Sequence, residues 1–96
     1  MTYRVVLTGT ADADLDRLAA FLGGQGEDVA LRAVRLIREA IGSLSRMPDR
    51  GRPVSERLRE LIIPFGAGGY IIRYRVSGQT VLVARVFHSL EDRPLA

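Results

Sequence analysis

Four arginines and one histidine in the second half of the chain have side chains that could do chemistry. Arg59, Arg73, Arg75 and Arg85 fall in β-rich runs where apolar or neutral residues would cost less, and His88 closes the last run. A guanidinium is a planar fork that grips carboxylates and phosphates through paired hydrogen bonds. A lone imidazole near neutrality serves as a general acid or base. Together they could hold an anionic ligand and move one proton. The same residues also have a structural reading. Arg73 and Arg75 share a strand face and repel unless an anion or carboxylate lies between them, and Glu60 on the neighbouring run is available for that. His88 is equally suited to ending a strand with a hydrogen bond to Glu91 or Asp92.

Other chemistries are excluded by composition. With no cysteine and one histidine, only carboxylates remain to complete a metal site, so neither metal nor cofactor is expected. No nucleophile elbow, phosphate-binding loop or dinucleotide fingerprint occurs, because the glycines of GAGG lie between two strands and not between strand and helix. All fourteen basic residues are arginine, in a chain of net charge +3. A GC-rich genome would produce the same usage as a phosphate-binding surface, so placement carries more information than number. The aromatics Tyr3, Phe21, Phe65, Tyr70, Tyr74 and Phe87 fall mostly on faces assigned to packing.

These residues need a scaffold, and ninety-six residues allow one domain, taken here as 1–96. At 47% apolar and 26% charged the chain has the balance of a folded globular protein. No signal peptide or membrane-spanning run is visible, and a reducing cytoplasm suits the absence of cysteine. Tyr3 to Thr8 reads as a strand. Thr10 is placed as the cap of a first helix, with Asp12 and Asp14 in its first turn, an apolar stripe of Ala11, Leu15, Leu18 and Leu22, and Gly23 and Gly24 as its stop. Glu27 to Ser45 repeats the pattern with a wider stripe, and the glycine-rich link makes the two helices an antiparallel hairpin. Arg35 and Glu39 are spaced for a weak ion pair.

Met47 to Pro53 is a loop. Leu58 to Ile63, Tyr70 to Val76 and Gln79 to Phe87 are strands, with Ser77 and Gly78 as the turn of the last hairpin. The fold class is α+β in the order β-α-α-β-β-β, a helical hairpin packed on one face of a small, mainly antiparallel, twisted sheet. Simple alternation puts Tyr70, Ile72, Tyr74 and Val76 on one face with Val81, Val83, Arg85 and Phe87. The other face then holds Ile71, Arg73, Arg75, Leu82, Ala84, Val86 and His88.

The element order, the second helix running to RGRP, the strand LRELIIPFG, the stretch GYIIRYRV and the ending RVFHSLEDRP together resemble the RelE/ParE superfamily over about residues 3 to 94. These are toxins of bacterial type II toxin-antitoxin modules, some known as plasmid stabilisation proteins. The resemblance implies a cytoplasmic toxin that forms a hetero-oligomer with a cognate antitoxin laid over the helical hairpin and the sheet edge. It also implies a split by target. ParE-like members poison DNA gyrase without nuclease chemistry, and this chain resembles them more closely. Where the nuclease branch places basic or tyrosine residues, Ile71, Ser89 and Leu90 stand here. RelE-like members cleave mRNA on the ribosome, and in that alternative Arg59, Arg73, Arg75 and Arg85 bind phosphate while His88, Arg75 and Arg59 are catalytic. A third alternative is a member that has lost its target and keeps only antitoxin binding.

Overall fold

The computed structural model describes residues 2–91, so Asp92 and Arg93 in the ending noted above lie outside the described residues. The first strand, β1 (Arg4–Leu7), leads into helices α1 (Gly9–Gly23) and α2 (Glu27–Ser43). Four strands follow: β2 (Arg52–Pro53), β3 (Arg59–Phe65), β4 (Gly68–Ser77) and β5 (Thr80–His88). They form one sheet in the order β1-β5-β4-β3-β2, antiparallel except where β1 runs parallel to β5. The α+β class and helical hairpin stand as expected. The sheet gains a two-residue strand from the end of the Met47–Pro53 loop, and proline is tolerated there because β2 is an edge.

Three local expectations shift. Thr8, not Thr10, caps α1, its hydroxyl accepting a hydrogen bond from the Ala11 N–H at 3.0 Å. The last hairpin turns on Gly78 and Gln79, because Ser77 pairs with Thr80 and Gly78 supplies the positive φ of 59°. Arg35 and Glu39 form no ion pair.

Amphipathic faces explain the layering. Ala11, Leu15, Leu18 and Leu22 of α1 and Ala33, Ile37, Ala40 and Ile41 of α2 turn onto the sheet, where Leu61, Ile63, Tyr70, Ile72, Tyr74, Val81, Val83 and Val86 complete one core. Ile71 and Phe87 are also buried but stand outside that cluster, on the opposite sheet face. Among the described residues no helix is long and apolar enough to cross a membrane.

Candidate functional site

The face of the sheet away from the helices carries a row of charge. Strand register sets Arg52 beside Glu60, Glu60 beside Arg73, and Arg73 beside Arg85. Arg73 and Glu60 are buried, and the Arg73 Nε and Nη2 both donate to Glu60 Oε2, at 3.1 and 2.9 Å. Arg52 approaches Glu60 Oε1 from the exposed edge at 3.8 Å. Burial of this kind is tolerable only because each charge has a close opposite. The Glu60 partnership foreseen for Arg73 is therefore present.

Arg85 reaches the same row because the pairing of β4 with β5 is irregular. Tyr74 pairs with Val83 but Arg73 pairs with Arg85, so Ala84 is an extra residue, a β-bulge. The bulge reverses the alternation beyond it. Arg85 and Phe87 join Arg73 on the open face, while Val86 and His88 turn toward the helices, correcting the assignment of all four. Both guanidinium groups lie over the Phe87 ring, the Arg73 Cζ 5.2 Å and the Arg85 Cζ 4.7 Å from its centre.

The counter-charge for Arg85 comes from α1. Asp14 is 4% exposed, accepts from Arg85 Nε at 2.8 Å and Nη2 at 3.1 Å, and accepts the Val86 N–H at 2.8 Å. Arg17 adds a contact at 3.3 Å. Burial pushes the Asp14 carboxyl upward, but the bonds from Arg85, Val86 and Arg17 outweigh it and hold the group below its ordinary value. The bulge lies where β1 stops and α1 takes over the edge of β5: Thr8 donates its hydroxyl hydrogen to the Ala84 carbonyl at 2.9 Å. From the sequence Asp14 is a helix-dipole residue of the first turn of α1; its position between Ala11, Leu15 and Leu18, inside the apolar stripe, is the sign of a buried carboxylate.

Arg75 lies one pleat along from Arg73, opposite Leu82, and is exposed. Its side chain has no hydrogen bond or ion pair among the described residues, and neither has the exposed side chain of Arg57 in the β2–β3 turn. Arg59 points elsewhere. It pairs with Tyr74, and its Nη1 donates to the Asp49 and Gly51 carbonyls at 3.2 and 2.7 Å. The Tyr74 hydroxyl donates to Pro48 O and accepts from Gly51 N–H, both at 2.7 Å. A Cβ on Gly51 would meet the Tyr74 ring and hydroxyl at 2.7 Å, so the close approach requires glycine. Arg59 and Tyr74 thus pin the loop before β2.

His88 stands at the far end of the sheet, in edge contact with Tyr70 at 5.5 Å between ring centres. Its Nδ1 accepts the Leu90 N–H at 3.1 Å, which leaves the proton of the neutral ring on Nε2. Glu91, expected as its partner, instead pairs with Arg17; Asp92, the other expected partner, lies outside the described residues. Tyr70 and His88 line a pocket of about 690 Å³ walled by Leu18, Phe21, Val29 and Phe65. Burial raises the Tyr70 phenol above its ordinary value, and its hydroxyl has no hydrogen-bond partner among the described residues.

The predicted residues therefore do not form one cluster. Arg73, Arg75 and Arg85 share the open face; Arg59 pins the loop before β2 and lines a groove of about 400 Å³ together with Arg75, and His88 stands apart from them all. His88 pairs with Tyr70, five residues along β4 from Arg75, which is about 17 Å at the rise of a strand. Among the described residues no cluster could hold a metal ion.

A family model described as the ParE toxin of type II toxin-antitoxin system, parDE, matches residues 5–93. Toxin RelE1 of Caulobacter vibrioides is 41% identical over 93 residues, covering 97% of this chain and 100% of that protein. Toxin RelE3 of the same organism is 40% identical, covering 93% and 97%. The chromosomal ParDE system from P. aeruginosa superposes with a TM-score of 0.73 at 23% identity, over 91% of this chain and 96% of that one. The RelBE2 toxin-antitoxin complex from Mycobacterium tuberculosis gives 0.59 at 28% identity, over 92% and 99%.

Proposed function

The chain belongs to the RelE/ParE superfamily as the toxin of a type II toxin-antitoxin system, and from that premise we propose that it arrests growth by binding DNA gyrase in the cytoplasm and trapping its cleaved-DNA complex, without cutting RNA. The observation that carries this reading is the separation of His88 from Arg75. Phosphodiester cleavage needs a proton-transfer group and phosphate-binding cations around one phosphorus. Here the imidazole and the free arginine lie on opposite sheet faces, about 17 Å apart along the strand. Arg73 and Arg85 are already matched by Glu60 and Asp14. What remains is a binding surface.

Purified toxin should inhibit gyrase supercoiling and accumulate linearised plasmid at micromolar concentration. Unchanged supercoiling together with cleavage of ribosome-bound mRNA would replace this reading with the nuclease one, which the RelE names of the relatives favour. Alanine at His88 separates the two again: gyrase poisoning survives loss of His88, whereas acid–base cleavage does not.

The antitoxin is the partner common to both. The apolar pocket at Tyr70 and His88, with Phe21 exposed at its rim, supports an antitoxin segment lying between the helical hairpin and the end of the sheet.

A further inference from the structure

The cations of the open face divide by what surrounds them. Arg73 has Glu60 across the strand, and Arg85 has Asp14 from α1. Arg75 has Leu82 opposite it and Leu58 beside it, both apolar. Arg57, on the β2–β3 turn where the Ser55 hydroxyl accepts the Leu58 N–H at 3.2 Å, is exposed and its side chain makes no hydrogen bond or ion pair among the described residues. Both line one groove of about 600 Å³ floored by Leu58, Leu82 and Ala84, and a second of about 400 Å³ that continues past Arg75 to Val76 and Ser77. Two unmatched guanidinium groups on an apolar floor form a surface complementary to acidic groups carried on an apolar backbone.

We propose that this groove is where the toxin grips its protein target, through an extended acidic segment whose carboxylates meet Arg57 and Arg75 while an apolar side chain rests on Leu58, Leu82 and Ala84. The inference rests on the gyrase reading and names the chemistry of that contact. Two features favour a protein segment over a nucleic-acid strand. The floor is apolar. Among the described residues the open face also lacks a stacking platform for bases, since its aromatic ring, Phe87, is 1% exposed.

The test is the double charge reversal Arg57→Glu with Arg75→Glu, assayed for gyrase inhibition, for direct binding to gyrase and for binding to the antitoxin. Neither side chain has an intramolecular partner among the described residues, so the variant keeps its fold, checked by thermal melting. Gyrase binding and inhibition should weaken about tenfold or more, with a reduced salt dependence, while antitoxin affinity stays within about twofold. The charge-keeping pair Arg57→Lys with Arg75→Lys should retain most of the effect. A reversed variant that inhibits gyrase as well as the parent overturns the groove assignment and leaves the gyrase reading standing. A parent inert toward gyrase that cleaves ribosome-bound mRNA, with cleavage lost in the reversed variant, assigns the groove to phosphate and overturns both.

Discussion

Arg73 with Arg85, and Arg57 with Arg75, are two pairs of the same residue type on one face of one sheet, yet they do different work. The first pair lies at the centre of the strands, Arg73 buried and Arg85 half-buried, and each guanidinium meets a buried carboxylate: Glu60 at 2.9 Å and Asp14 at 2.8 Å. The second pair lies at the strand ends and turn, where solvent screens the charge and no carboxylate is matched to it among the described residues. The contrast teaches that a cation in a strand is a binding candidate only after its intramolecular partner has been sought.

That comparison can be broken most forcefully at Glu60. Glu60→Ala leaves a buried guanidinium beside an empty site and should lower stability by about 3–5 kcal/mol, read by urea denaturation. The double change Glu60→Leu with Arg73→Met removes both charges and should recover most of the loss, because the penalty comes from an uncompensated charge.

Asp14→Asn comes next, at about 2–3 kcal/mol near neutral pH, since it weakens two charge-assisted bonds from Arg85 and the bond to the Val86 N–H. The folded-state pKa of Asp14 is depressed, so its contribution is fully present above the ordinary value of 3.8 and fades as pH falls through the lower folded value. The stability gap between parent and Asp14→Asn should therefore be constant above about pH 5 and close in strong acid. A gap that widened on acidification would contradict the pairing.

Tyr74→Phe deletes the hydroxyl that joins Pro48 O to Gly51 N–H and should cost about 1–2 kcal/mol, with faster amide exchange at Gly51. The smallest effect belongs to the free pair. Arg57→Ala or Arg75→Ala should change stability by no more than about 0.5 kcal/mol. A larger loss would place these arginines with the structural pair and erase the contrast.

Much of the scaffold was legible. Apolar stripes at helical spacing located α1 and α2, and β-branched runs located β1, β3, β4 and β5, because those signals are local and repeat several times within each element. The two-residue β2 was hidden in a proline-containing loop, since its only evidence is the partner strand. Of the candidate site, Glu60 beside Arg73 was legible because both sit on regular, adjacent strands. The grouping of His88 with Arg75 was not sound, because one extra residue at Ala84 turns every later side chain of β5 to the opposite face.

By itself the sequence determined the class of the fold, the order of its elements, the absence of cysteine chemistry, and the presence of arginines within the strands; all follow from composition and short-range periodicity. The tertiary structure alone decided which arginines are matched. Asp14 meets Arg85 across 71 positions of chain, and the bulge that brings them together lies where α1 replaces β1 along the edge of β5. The physical reason is that a charge is assigned its role by whatever lies within a few ångströms of it after packing, and alternation along one strand carries no information about the edge of the next.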